Sequence, residues 1–273
     1  METDLLVLYN LKKTYGNKTA VNISSLSIQP HTFTCIVGKS GCGKTTLLRL
    51  LAGLETPDAE EKSITGLPAK TAPVFQESRL MPWLTVIENI MFSLKGQDGN
   101  PGRAKPGQQK SQKPSVKSRH KIATQPGQNA NAVLPSPEER CNQLLNELEL
   151  TEAANLYPAQ LSGGMSQRVS LGRTLFYNPE LILMDEPFSA LDYFTRRNLQ
   201  DMVLRLFQHQ KKTILFVTHD VEEALLLGDR ILVMENGSIK ADMPVPLPFP
   251  RKAADSALQD MRQKILDLLA ERN

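Results

Sequence analysis

Apolar positions alternate with polar ones along Asp4 to Tyr15 (DLLVLYNLKKTY) and again along Thr19 to Ile28 (TAVNISSLSI). This period of two predicts a pair of half-buried strands. HTFTCIVG, from His31, is more continuously apolar and predicts a buried strand, followed by a glycine-rich turn and a helix over TTLLRLLAGL. After a long polar interval, Ser136-Pro137-Glu138-Glu139 has the form of a capping box and starts a helix whose spacing buries Cys141, Leu144, Leu145 and Leu148. LILMDE and TILFVTHD are apolar runs bounded by polar helix-forming sequence, the pattern of buried parallel strands. RILVMENGSIK predicts a hairpin turning at Asn236-Gly237. PVPLPFPR predicts an extended connector to a last amphipathic helix with Leu258, Met261, Ile265 and Leu268 on one face. Strands alternating with helices indicate an α/β fold.

The polar interval changes how the charge is understood. Residues 96–137 are rich in Pro, Gly, Gln, Lys and Ser, lack apolar periodicity and are expected to be disordered. Lengthening a surface loop about fivefold costs only ~1.4 kcal/mol of closure entropy, so a fold tolerates such an insertion. The interval holds seven basic residues (Arg103, Lys105, Lys110, Lys113, Lys117, Arg119, Lys121) and one acid, Asp98, which leaves the rest of the +3 chain mildly acidic. A basic nucleic-acid groove is therefore not expected. The 273 residues, 40% hydrophobic, suffice for a core, and no apolar run approaches the roughly 18 residues of a membrane span. METDLLVLYN lacks a secretory pattern, which predicts a cytosolic chain. Cys35, Cys42 and Cys141, odd in number and without metal spacing, predict neither a disulfide framework nor a zinc site.

The candidate chemistry begins at Gly38-Lys39-Ser40-Gly41-Cys42-Gly43-Lys44-Thr45, which fits G-x-x-x-x-G-K-[ST] between a strand and a helix that continues with Thr46. In that context, backbone N–H groups curl around phosphates, Lys44 faces the β and γ phosphates, and the Thr45 hydroxyl can ligate Mg²⁺. Cys42 reads as a small residue tolerated in this loop, yet a place near a helix N-terminus can lower a thiol pKa, so nucleotide-protectable alkylation is expected. The strand LILMDEP ends in two acids, assigned as Asp185 for the metal and Glu186 as general base. His219 ends another buried strand, where it can reach a γ-phosphate, whereas His31, His120 and His209 are expected to be structural or solvated.

Leu161-Ser162-Gly163-Gly164-Met165 is glycine-rich and opens a helix, yet it has no lysine, metal ligand or nucleophile. With the motifs above, it resembles the ATP-binding subunits of ABC transporters, whose signature loop is normally LSGGQ. The likeness spans about residues 5–240, with the motifs in the family's order. It implies a P-loop NTPase (RecA-like) core with an antiparallel β subdomain and a helical subdomain. It also implies head-to-tail pairing of two ATPase subunits, identical or paralogous, in which each signature loop meets the γ-phosphate held by the other. On the same ground, Tyr15 matches the residue that stacks on adenine, Gln76 the glutamine that touches Mg²⁺ and water, Ser189-Ala190-Leu191-Asp192 the loop coupling the two sites, and His219 the switch histidine.

PVFQESRLMPWLTVIENI and THDVEEALLLGDRILVM further resemble importers of nitrate, sulfonates, taurine and related solutes. That likeness implies transmembrane permease subunits, indirectly a solute-binding protein, and a peripheral place on the cytoplasmic face of the inner membrane. Trp83 either faces the permease or packs within the helical subdomain. The implied organisation is residues 1–80 as β subdomain and first half of the core, 81–167 as helical subdomain, 168–240 as second half, and 241–273 as connector and terminal helix. The sequence departs from the family at Met165, at Gly172 where alanine is usual, at Glu60 and in the long insertion. An exposed Gly172 would cost about 1 kcal/mol against alanine. The alternative is a soluble ABC-type ATPase acting on DNA or the ribosome. No sustained heptads and only one phosphate loop argue against it.

Overall fold

A computed structural model describes residues 4–58, 63–96 and 135–271. Residues 97–134, which make up most of the interval expected to be disordered, lie outside the described residues, as do Glu60 and His120.

The two alternating segments form β1 (Leu6–Tyr15) and β2 (Lys18–Ile28), paired antiparallel from Leu6↔Ile28 to Tyr15↔Lys18. Asn10, at φ 48°, interrupts the alternation, so Leu11 joins Leu6 and Leu8 on the buried face. β3 (Phe33–Val37) is buried throughout and leads through the glycine loop into α1 (Lys44–Leu51). β4 (Ile64–Thr65) adds a two-residue edge to β1, and β5 (Thr71–Val74) enters the larger sheet. The helical part contains α2 (Val86–Ile90), α3 (Pro137–Glu147) and α4 (Gly163–Tyr177). Ser136 caps α3 in a reciprocal box with Glu139, and Cys141, Leu144, Leu145 and Leu148 are all buried as the spacing requires.

The chain then runs through β6 (Leu181–Asp185), α5 (Tyr193–Gln210), β7 (Thr213–Thr218), α6 (Val221–Leu227), β8 (Arg230–Glu235), β9 (Ser238–Pro244) and α7 (Ser256–Ala270). A three-stranded sheet has the order β2-β1-β4, and a six-stranded sheet the order β5-β6-β7-β3-β8-β9. The pairs from β5 to β8 are parallel; β8 and β9 form the expected hairpin, with Asn236 and Gly237 at positive φ. Because β6, β7 and β3 are neighbours running the same way, the three loops leaving their C-terminal ends emerge side by side. This is the edge at which open parallel sheets bind ligands.

Gly172 is not exposed. A Cβ built there would lie 2.7 Å from Leu148 Cδ1 and 3.2 Å from Ile90, so the glycine lets α4 approach α2 and the end of α3. α7 buries Leu258 and Ile265 against the body, with Met261 and Leu268 partly covered beside them. Arg251 fastens the connector by donating to the carbonyls of Leu225, Gly228, Val245 and Leu247. No helix among the described residues is long and apolar enough to cross a membrane.

Candidate functional site

The glycine loop owes its shape to Gly43. Its φ is 111°, and a Cβ there would stand 2.0 Å from the carbonyl oxygen of Ala20, so no other residue fits. The turn aims the N-terminus of α1 at the hollow above the loop. Lys44 is buried and donates to the carbonyls of Gly38 at 2.7 Å and Lys39 at 3.2 Å, which places its ammonium inside the loop. Cys42 departs from expectation. Its side chain turns into the core, and burial pushes its thiol pKa up, outweighing the nearby Lys44 charge and the backbone hydrogen bonds.

From the other side of the sheet edge comes Asp185, whose Oδ1 accepts from Thr45 Oγ1 at 3.0 Å. Burial raises the Asp185 pKa and Glu186 adds to that, while the Thr45 hydrogen bond and the Arg49 and Lys44 charges oppose it. Glu186 follows at φ 45°, a sparsely populated conformation for a glutamate, with its N–H donating to Val217 O at 2.9 Å. His219, just past β7, places Nδ1 2.9 Å from Glu186 Oε2.

A hard divalent cation fits this donor set. A hydroxyl and a partly desolvated carboxylate converge beside a phosphate loop, and Mg²⁺ is commonly held by one or two protein oxygens completed by substrate phosphates and water. No cluster of three or more His, Cys, Asp or Glu offers a complete metal cage among the described residues.

Tyr15, Ser40, Gly41, Gly43, Lys44, Thr45, Thr46 and Glu186 line one cavity of about 300 Å³. Tyr15 forms its rim, half-exposed, with its hydroxyl on Glu55. Lys18 lines the same cavity and was missed by the sequence analysis, although its place across the Gly16-Asn17 turn from Tyr15 is a usable signal. A larger hollow of about 550 Å³ lies on the other side of the loop, against Asn236, Gly237 and Leu269. It lacks Lys44, Thr45 and Glu186, which line the smaller cavity.

Two expected groups stand apart from that cavity. Gln76 is exposed beyond β5, in a segment held by α4 through Gln167 Nε2 to Phe75 O and Arg173 to the carbonyls of Ser78 and Arg79. Neither Gln167 nor Arg173 was singled out from the sequence. None of Leu161 to Met165 lines the cavity either; Ser162 Oγ caps α4 by accepting from Met165 N at 3.2 Å. This loop lies instead against the segment after Glu186, where Ser189, Ala190, Leu191 and Asp192 run into α5. Thr195 is so close to Gly164 that a Cβ there would be 2.5 Å from Thr195 Cγ2.

Trp83, the lone tryptophan, is 70% exposed at the tip of a loop that buried Asn89 braces through Met81, Leu84 and Thr85, so it does not pack within the helical part.

Comparison with known proteins adds four findings. The family described as ABC transporter matches residues 21–189. The chain is 38% identical over 271 residues to the aliphatic sulfonates import ATP-binding protein SsuB of Granulibacter bethesdensis, covering 99% of this chain and 97% of that one. The aliphatic sulfonates import ATP-binding protein SsuB 1 of Paracoccus denitrificans is 37% identical, covering 94% of this chain and 90% of that one. Among solved structures, a dimeric ATP-binding cassette in a post-hydrolysis state, bound to ADP and Pi, has a TM-score of 0.65 and 28% identity, over 89% of this chain and 100% of that one.

Proposed function

Because the chain belongs to the ABC transporter family, as an ATP-hydrolysing subunit, we propose that it energises uptake of a small sulfonate-type anion through a separate membrane permease. The observation that carries the catalytic reading is the contact of His219 Nδ1 with Oε2 of Glu186, which lines the cavity together with Tyr15, Lys44 and Thr45. The permease partner and the substrate class rest on the names of the import relatives.

In this reading ATP lies with its adenine on Tyr15 and its phosphates in the loop Gly38–Thr46. Backbone N–H groups and the Lys44 ammonium bind the β and γ phosphates. Thr45 and Asp185 would hold Mg²⁺, with Gln76 as a further candidate ligand, and the ion would supply charge neutralisation at the phosphates. Glu186 takes a proton from the attacking water, and His219 holds the Glu186 carboxylate and faces the γ-phosphate. Leu161 to Met165 serve a second subunit's nucleotide. Ser162, the Gly163 and Gly164 backbones and the positive end of α4 contact its γ-phosphate. Met165 leaves these donors in place. Ser189 to Asp192 couple the paired sites, and Trp83 contacts the permease from the cytoplasmic face of the membrane.

Glu186→Gln is expected to bind ATP while hydrolysing it about 10²- to 10⁴-fold more slowly, the span of a lost general base. Tagged Glu186→Gln chain purified from detergent-solubilised native membranes in Mg-ATP is expected to bring down two ATPase copies and a polytopic membrane protein. Recovery of ribosomal components or nucleic acid instead would refute the importer reading.

A further inference from the structure

Arg196 sits in the first turns of α5, where the helix dipole disfavours a cation, so helix stability does not account for it. Its guanidinium spans two loops. Nη2 donates to Leu191 O at 3.2 Å, inside the segment Ser189–Asp192, and Nη1 stands 3.9 Å from Asp220 Oδ2, one residue after His219. Arg196 Nε is buried without a hydrogen-bond partner, while the Arg196 and Asp220 side chains as a whole are 29% and 39% exposed.

A second, buried strut runs parallel to it. Gln200, two turns from the start of α5, donates to Glu223 Oε1 at 2.8 Å; Thr218 Oγ1 donates to Glu223 Oε2 at 2.5 Å and accepts from Asp220 N at 3.0 Å. The turn Thr218-His219-Asp220 is thus held from α5 at both ends. At the near end of the segment, Ser189 Oγ donates to Glu186 O at 2.9 Å.

We propose that Arg196 is a positioning residue that fixes His219 relative to the segment Ser189–Asp192, so that hydrolysis senses where that segment lies. This rests on the catalytic reading of Glu186 and His219 above. Arg196 itself touches neither cavity nor substrate site; it acts through Asp220 and the turn that carries the histidine.

The test is steady-state ATP hydrolysis by the full chain carrying Arg196→Met, Asp220→Asn or both, with melting temperatures alongside. Asparagine keeps the cap that Asp220 Oδ1 provides to Glu222 N and Glu223 N and removes the charge and the Oδ2 acceptor that face Arg196. Each single variant is expected to lower kcat about 10- to 100-fold, as a displaced catalytic group does, with the KM for ATP nearly unchanged. The double variant is expected to be no worse than either single one, because both remove the same tether. Wild-type kcat in Asp220→Asn, or losses that simply multiply in the double variant, overturn the proposal; the Asp220→Asn result decides even where Arg196→Met fails to fold. Glu186→Gln run in parallel separates the two failures. If it turns over normally, the catalytic reading falls and this proposal with it; if it is inactive while the tether variants are not, only the tether falls.

Discussion

At Cys42 two influences pull in opposite directions. The start of α1 and the Lys44 ammonium favour a thiolate, while the apolar packing of the side chain favours the neutral thiol. Burial wins, and the pKa lies above its ordinary value. Because the folded state prefers the neutral form, the site contributes stability at neutral pH and loses it as the pH climbs through the raised value. Iodoacetamide labelling of Cys42 in the native chain at pH 8, read by peptide mapping, is therefore expected to be about tenfold slower than in the urea-unfolded chain. Equal rates would show that the helix end dominates after all. Residue type and spacing could suggest only the attraction to a helix N-terminus, because the core cluster that buries the side chain is assembled from elements distant in sequence.

For α4, propensity and packing give opposite predictions at one position. In an exposed helix, Gly172→Ala would gain about 1 kcal/mol. Here the new methyl meets Leu148 and Ile90 at overpacked distances, which typically costs 1–3 kcal/mol. The variant is expected to be net destabilised by about 1 kcal/mol, seen as a lower urea midpoint at unchanged m-value. A raised midpoint would mean that Leu148 and Ile90 rotate away freely. The glycine has a structural role because α4 carries several duties at once. It opens with Ser162, holds the Gln76 segment through Gln167 and Arg173, and packs on α2 and α3.

Taken whole, the single chain displays half of a site twice. The cavity under Tyr15 is lined by Lys44, Thr45 and Glu186, while the N-terminus of α4 presents exposed Ser162 and Gly163 away from that cavity. In the proposed reading, head-to-tail pairing would unite the two halves. The Glu186→Gln chain in Mg-ATP is accordingly expected to sediment at about twice its ATP-free mass, and to return to the monomer when EDTA removes the metal, since nucleotide and metal would bridge the subunits. A mass that does not respond to nucleotide would count against pairing through these surfaces.

Local patterning determined most of the elements. Period-two alternation marked β1 and β2, continuous apolar runs marked β3, β6 and β7, and Ser136 with Glu139 marked the start of α3. It determined the phosphate loop too, because backbone curvature there depends on glycines within eight consecutive residues. Tertiary structure alone decided what lies beyond such local reach. The strand order β6-β7-β3 brings Thr45 to Asp185, 140 positions away, and Glu186 to His219, 33 positions away. The closed fold decided that Cys42 and Gly172 are buried and that Trp83 is not. Burial and proximity are properties of the closed chain, and a periodicity of two or 3.6 residues carries no information about which distant element closes over a given face.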